Sequence, residues 1–119
     1  MKIAISSTGP TLDAPVDPRF GRSVSFLVID MADGSFVAMD NGGQHSPQGA
    51  GIQAAEALAR IGVAAVITGH CGPKAFEVLT AAGIQLFVGA EGTVAGALER
   101  FRSGKWKASN GADVNGHWA

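Results

Sequence analysis

The stretch AGIQAAEALARIGVAAVITGHCG, residues 50–72, decides the architecture. Between about Ala50 and Ile61, the side chains of Ile52, Ala55, Leu58 and Ala59 fall on one stripe. Gln53, Glu56 and Arg60 fall on the other face, which is the pattern of an amphipathic helix. Glu56 and Arg60 stand one turn apart in the favourable order, as a solvated pair. After Gly62 the run Val63-Ala64-Ala65-Val66-Ile67 shows no alternation, so it reads as a strand buried on both faces. Helix, buried strand and the glycine-flanked turn Thr68-Gly69-His70-Cys71-Gly72 together make half of an α/β unit.

The rest of the chain extends that unit in both directions. Ile3-Ala4-Ile5 is a short strand that ends in the breakers Ser6-Ser7-Thr8-Gly9-Pro10. A long loop follows, holding Pro10, Pro15 and Pro18 with Asp13 and Asp17, and loops of that length in small domains commonly carry function. Val24–Asp30 and Ser35–Asp40 read as a hairpin closed by Asp33-Gly34. On the far side, Pro73 at a first helical position and Gly83 at a C-terminal cap bracket a second helix. Ile84–Val88 is another apolar strand. Thr93 caps a third helix carrying Val94, Ala97, Leu98 and Phe101, which stops at Gly104.

The order β-β-β-α-β-α-β-α predicts a mixed five-stranded α/β sheet with helices on its faces. Strands one, four and five run parallel through right-handed crossovers, and strand two is antiparallel to strand one. Residues 1–104 form the single domain, and 105–119 form a polar, flexible C-terminal tail to which Trp106 and Trp118 could lend partial docking.

Composition limits the function classes. A chain of 119 residues has room for one domain. Apolar residues make up 46% and charged residues 16%, with a net charge of -1, so there is no basic field of the kind that gathers nucleic acid. No apolar run approaches membrane-spanning length and no signal-peptide core is present, which points to a cytoplasmic protein. One cysteine allows neither an internal disulfide nor a Cys-only metal cage.

The predicted topology brings the loops after strands one, three, four and five, and the loop entering strand two, to one rim. Ligands of α/β sheets bind at the carboxyl ends of the strands, near the switch in chain direction. On that rim Gly69, His70, Cys71 and Gly72 carry two readings. Cys71 is either a small buried hydrophobe in a plain turn or, beside His70 and a helix start, a thiol of lowered pKa able to ligate metal. His45 is either an exposed loop residue or a soft-metal ligand. Gly49, Ala50, Gly51 and Ala54 match a dinucleotide fingerprint on paper. No strand directly precedes them and no acidic residue ends the next strand, so they read as an anion nest at a helix entry. Arg19, Arg22 and Lys74 place positive charge at the same rim, although Arg22 could instead pair with Asp17 or Asp13 to pin the loop.

P-loop, G-x-S-x-G and H-E-x-x-H motifs are absent. The strands offer no carboxylate cluster of the two-metal kind. Three histidines and one cysteine cannot build a four-thiolate iron–sulfur site, so a bound cluster would bring most of its own sulfur.

Asp17-Pro18-Arg19-Phe20-Gly21-Arg22-Ser23, followed by a strand, resembles the D-x-R-F-G-R-A/S entry of the dinitrogenase iron–molybdenum cofactor biosynthesis family. Asn41, His45, Gly49 and Gly51 are similar to its N-x-x-x-H-x-x-x-G-x-G stretch, and Gly69–Gly72, Gly83-Ile84, Gly89 and Thr93 continue the pattern. The resemblance covers about residues 1–104. It implies a ribonuclease-H-like domain that binds, stores or delivers a molybdenum-containing metal–sulfur cluster without being an enzyme. A free-standing domain with one cysteine is similar to members that hold a molybdenum–copper sulfide; an iron–molybdenum cluster is the other form.

The expected cofactor-binding residues are Arg19, Phe20, Arg22, Asn41, His45, Gly49, Gly51, Gly69, His70, Gly72 and Lys74, with His45, His70 and Cys71 as the residues that could touch metal. The expected partners are the anionic cluster itself and proteins of cluster assembly or of a regulatory complex, with neither nucleic acid nor membrane, and the chain is expected as a monomer or weak dimer. An enzyme or regulatory module taking a nucleotide or phosphate at the same rim is the alternative.

Overall fold

Ile3 and Ile5 point to one face of the sheet and Ala4 to the other, and all three are fully buried. A strand buried on both faces belongs in the middle of a covered sheet, and β1 (Lys2–Ser7) lies there. In a computed structural model that describes residues 1–42 and 49–113, the chain continues through β2 (Ser25–Asp30), β3 (Phe36–Asp40), α1 (Ala50–Ile61), β4 (Ala65–Ile67), α2 (Pro73–Ala81), β5 (Gln85–Phe87) and α3 (Val94–Arg102). The sheet order is β3-β2-β1-β4-β5. β1 runs antiparallel to β2 and parallel to β4, and β4 runs parallel to β5, as the element order predicts. The register sets Ser7 opposite Ser25 and Ser25 opposite Asp40, and it aligns Ile5, Ile67 and Phe87 across the parallel half.

Two cores lie on opposite sides of this sheet. Ala4, Phe26, Val66 and Leu86 pack against Ala54, Ala55 and Leu58 of α1 and Ala75 and Leu79 of α2. Ile3, Ile5, Leu27, Ile67 and Phe87 pack against Val94, Ala97 and Leu98 of α3. Alanines dominate the α1 and α2 contacts, which lets the two helices approach closely: a Cβ at Gly51 would lie 3.1 Å from the Cβ of Ala75. Among the described residues, no helix is long and apolar enough to cross a membrane.

Strands β4 and β5 are shorter than the apolar runs that predict them. The Val63 amide turns back to the Leu58 carbonyl at the end of α1, 3.5 Å away, and the Ile84 amide donates to Leu79 at the end of α2 over 2.9 Å. Helix termination therefore claims the first residue of each run. Residues 105–113 also differ from the expected flexible tail, since they cross the β5 edge instead of leaving the domain. The Ser109 amide donates to the Leu86 carbonyl at 2.7 Å and Trp106 Nε1 to the Val88 carbonyl at 3.2 Å, while the Arg100 guanidinium lies 3.8 Å from the Trp106 ring centroid. Trp106 is the anchor that a polar composition conceals. Val114 and Trp118 fall outside the described residues.

The long loop between β1 and β2 is held by one buried carboxylate. Asp17 Oδ1 accepts the Arg19 amide and Oδ2 accepts the Val24 amide, each at 3.1 Å, and the residue is 4% exposed. Its own backbone amide donates to the Ser6 carbonyl at 3.0 Å. Asp17→Ala should cost about 1–3 kcal/mol, because two amides lose a charged acceptor in a place water reaches poorly. Chemical denaturation should show the loss as a lower midpoint with an unchanged slope.

Candidate functional site

The carboxyl ends of β1, β4 and β5 share one edge with the end of β3 and the start of β2, and loops from all of them meet there. Ser6 Oγ lies 2.8 Å from Thr68 Oγ1 and 2.7 Å from the Asp17 carbonyl, which links the ends of β1 and β4 to the long loop. Arg19 and His70 form an isolated parallel bridge, in which the Phe20 amide donates to the His70 carbonyl at 3.1 Å. The Gly89 amide donates to the Gly69 carbonyl at 2.8 Å, adding the loop after β5. From the other side, Asn41 Nδ2 donates to the carbonyls of Gly21 and Ser23, both at 2.9 Å.

The expected residues divide into those that the fold buries to build this rim and those that it leaves exposed or partly exposed there. Phe20 is completely buried, 5.4 Å from the Phe26 ring, so it anchors the loop in the core and is no wall of a binding site. Asn41 is buried and spends its amide on the loop backbone. Gly69 answers to steric closeness: a Cβ there would sit 2.7 Å from both the Cα and the carbonyl oxygen of Pro18. Gly51 serves the contact between α1 and α2 already described. Gly49 is the left-handed N-cap of α1, with φ 75°, and Gly72 is the buried, extended N-cap of α2. His45 lies outside the described residues. Arg19 and Lys74 are exposed, Arg22 is half-buried, and His70 is partly exposed.

Cys71 takes the first of its two readings. The residue is fully buried among Ala4, Phe20, Ala75 and their neighbours in the core under α1 and α2. Burial, and after it the nearby negative charge of Asp113, pushes its thiol up to about 12. In this structure the thiol is enclosed, which is the setting of a small buried hydrophobe. Its amide is also engaged, donating to Asp113 Oδ1 at 2.8 Å, so that N–H is not open to a sulfide in this structure.

No sequence signal exposes the part played by Asp113, which lies 42 residues beyond Cys71 in a stretch without pattern. Its Oδ2 lies 2.8 Å from His70 Nδ1. Asp17 is within the motif, but which amides it accepts becomes visible only once the loop is closed. Beside the rim, between the end of β3 and the outer face of α1, a cleft of about 280 Å³ is lined by Asp40, Asn41, Gln53, Glu56 and Arg60 among others; among the described residues, Asn41 is the only expected site residue that reaches it. Among the described residues, every buried side-chain polar atom has a partner, and no group of three His, Cys, Asp or Glu side chains is placed to hold a metal ion.

The profile of the dinitrogenase iron-molybdenum cofactor family matches residues 1–104. The chain belongs to this family. It is similar to the apo form of the orange protein from Desulfovibrio gigas, with 43% identity, 95% of this chain and 96% of that one covered, and a TM-score of 0.92. A Thermotoga protein described as a candidate NifB protein shares 31% identity over 90% of this chain and 91% of its own, with a TM-score of 0.79. An uncharacterized protein of Methanocaldococcus jannaschii is 28% identical over 88% of both chains. The family relationship agrees with a five-stranded mixed sheet whose D-x-R-F-G-R segment closes the rim.

Gly69→Ala should destabilise the fold by about 1–3 kcal/mol, since a Cβ meets backbone there and no flexible side chain can yield. Thermal melting reads this directly. Iodoacetamide should leave Cys71 unmodified in native protein up to mildly alkaline pH and alkylate it fully after denaturation. Because the folded thiol is raised from 9.0 to about 12, the unfolded state loses its proton first, so stability should fall as pH rises through that interval. Cys71→Ala should remove that alkaline loss, which denaturation at several pH values would show.

Proposed function

We propose that the protein carries a preformed, anionic, molybdenum-containing metal–sulfur cluster and acts as a non-enzymatic store or delivery scaffold. The observation that carries this reading is the combination of a sealed thiol, raised to about 12, with the exposed Arg19 bridged to His70 at the rim. Such a site suits a cargo that brings its own sulfide ligands, held by charge and hydrogen bonds. Arg19, Arg22 and Lys74 would offset the cluster's charge. His70, with His45, would donate to sulfide or touch a soft metal. The Gly49 helix entry would supply backbone amides.

A molybdenum–copper sulfide is the form favoured by the similarity to the orange protein, and an iron–molybdenum cluster is the form that the family's description suggests. Delivery would pass the cargo to a protein of cluster assembly. An anionic cargo held at exposed cations is also released by competing salt, which suits a carrier better than a permanent cofactor site.

The test mixes apo-protein with tetrathiomolybdate and copper, removes unbound metal by gel filtration, and measures co-eluting molybdenum and copper with visible charge-transfer bands. Retained colour and metal that decline with rising ionic strength support the carrier. A colourless, metal-free protein overturns it. Arg19→Ala and Lys74→Ala should each weaken retention a few-fold, in line with roughly 1 kcal/mol or less for an exposed charge contact. Saturable nucleotide binding that survives His45→Ala would favour the nucleotide reading instead.

A further inference from the structure

Asp113 is held by three contacts, two through its carboxylate and one through its backbone amide, that converge on two consecutive residues of the rim. Oδ2 lies 2.8 Å from His70 Nδ1, Oδ1 accepts the Cys71 amide at 2.8 Å, and the Asp113 amide donates to the Cys71 carbonyl at 3.2 Å. The strand of tail that delivers it is tied down upstream by Ser109 and Trp106. As an ion pair this contact is partly solvated on both sides, with side-chain exposures of 39% and 28%, and pairs of that kind contribute little stability. Its geometric consequence is larger. An ionised carboxylate only accepts, so a neutral imidazole facing it must carry its proton on Nδ1, and Nε2 becomes the acceptor of the ring.

We propose that Asp113 is a positioning residue, which fixes the tautomer and orientation of His70 so that Nδ1 carries the ring proton and Nε2 is the acceptor nitrogen. Because Oδ1 is fastened to the Cys71 amide, the carboxylate keeps its place while the ring responds to it. Histidines that bind soft metals depend on such a partner, and losing it typically weakens metal affinity 10–100-fold. What the ring is positioned for rests on the cluster-carrier reading; the tautomer itself does not.

Asp113→Asn separates the two. Its amide oxygen can still accept from Cys71, while its NH₂ group donates to Nδ1, which reverses the hydrogen bond and moves the ring proton to Nε2. In ¹⁵N-labelled apo-protein above the imidazole titration range, the ring nitrogen shifts of His70, assigned by their loss in His70→Gln, report the protonated nitrogen. The expected result is Nδ1–H in the native chain and Nε2–H in the variant, with the folded spectrum otherwise preserved. Copper and tetrathiomolybdate retained after gel filtration should fall 10–100-fold in Asp113→Asn.

An Nε2-protonated ring in the native chain, or no tautomer change in the variant, overturns the positioning. A switched tautomer with native retention also overturns it, and leaves the carrier reading standing if the native chain holds metal. A native chain that holds no metal overturns the carrier reading, and the ring shifts then decide the positioning alone.

Discussion

At the carboxyl end of the sheet the backbone at Pro18 crosses the backbone at Gly69 with no room between them for a β-carbon, which would lie 2.7 Å from the Pro18 Cα and carbonyl oxygen. This contact fixes the depth at which the long loop after β1 rides over the turn after β4. The Phe20 amide then reaches the His70 carbonyl, Phe20 drops into the core, and the buried Asp17 carboxylate gathers the amides of Arg19 and Val24. Arg19 consequently stands beside His70. A side chain at position 69 would lift the loop and disturb each of these contacts, because they are short and cooperative.

The electrostatic character of the rim follows from what the fold buries. Cys71, which a sequence can equally place in a ligand set, goes into the apolar core, where the cost of charging it keeps it a thiol. Arg19 and Lys74 are left exposed at the rim, where His70 and the Asp113 carboxylate facing it are partly exposed. The cations can attract anions, and among the described residues no group of three His, Cys, Asp or Glu side chains is placed to cage a metal ion. Membership of the dinitrogenase iron-molybdenum cofactor family is consistent with that chemistry.

The local pattern determines most of the architecture. The stripe of α1, the non-alternating run of β4, the Asp33-Gly34 turn, Pro73 and the Thr93 cap are each short-range signals, and the structure places the corresponding elements within a residue or two of where they predict. The Thr93 hydroxyl accepts the Gly96 amide at 3.1 Å, as a capping residue should. Length predicts one domain and the order of elements a mixed α/β sheet, and the ordered motifs resemble the family to which the chain belongs.

Tertiary structure alone decided which motif residues build the rim and which stand exposed on it. Phe20, Asn41, Gly51 and Gly69 match a family pattern as readily as Arg19 or His70. Burial and steric contact show that these four hold the loops and helices together. The thiol state of Cys71 and the carboxylate beside His70 were equally hidden, since the first depends mainly on burial in the core and the second on a contact across 43 residues of chain, between a turn after β4 and a tail anchored by Trp106. Periodicity, caps and turns are properties of neighbours in sequence, so they can be read from the chain. Burial and long-range hydrogen bonds are properties of neighbours in space, and only the folded chain has those.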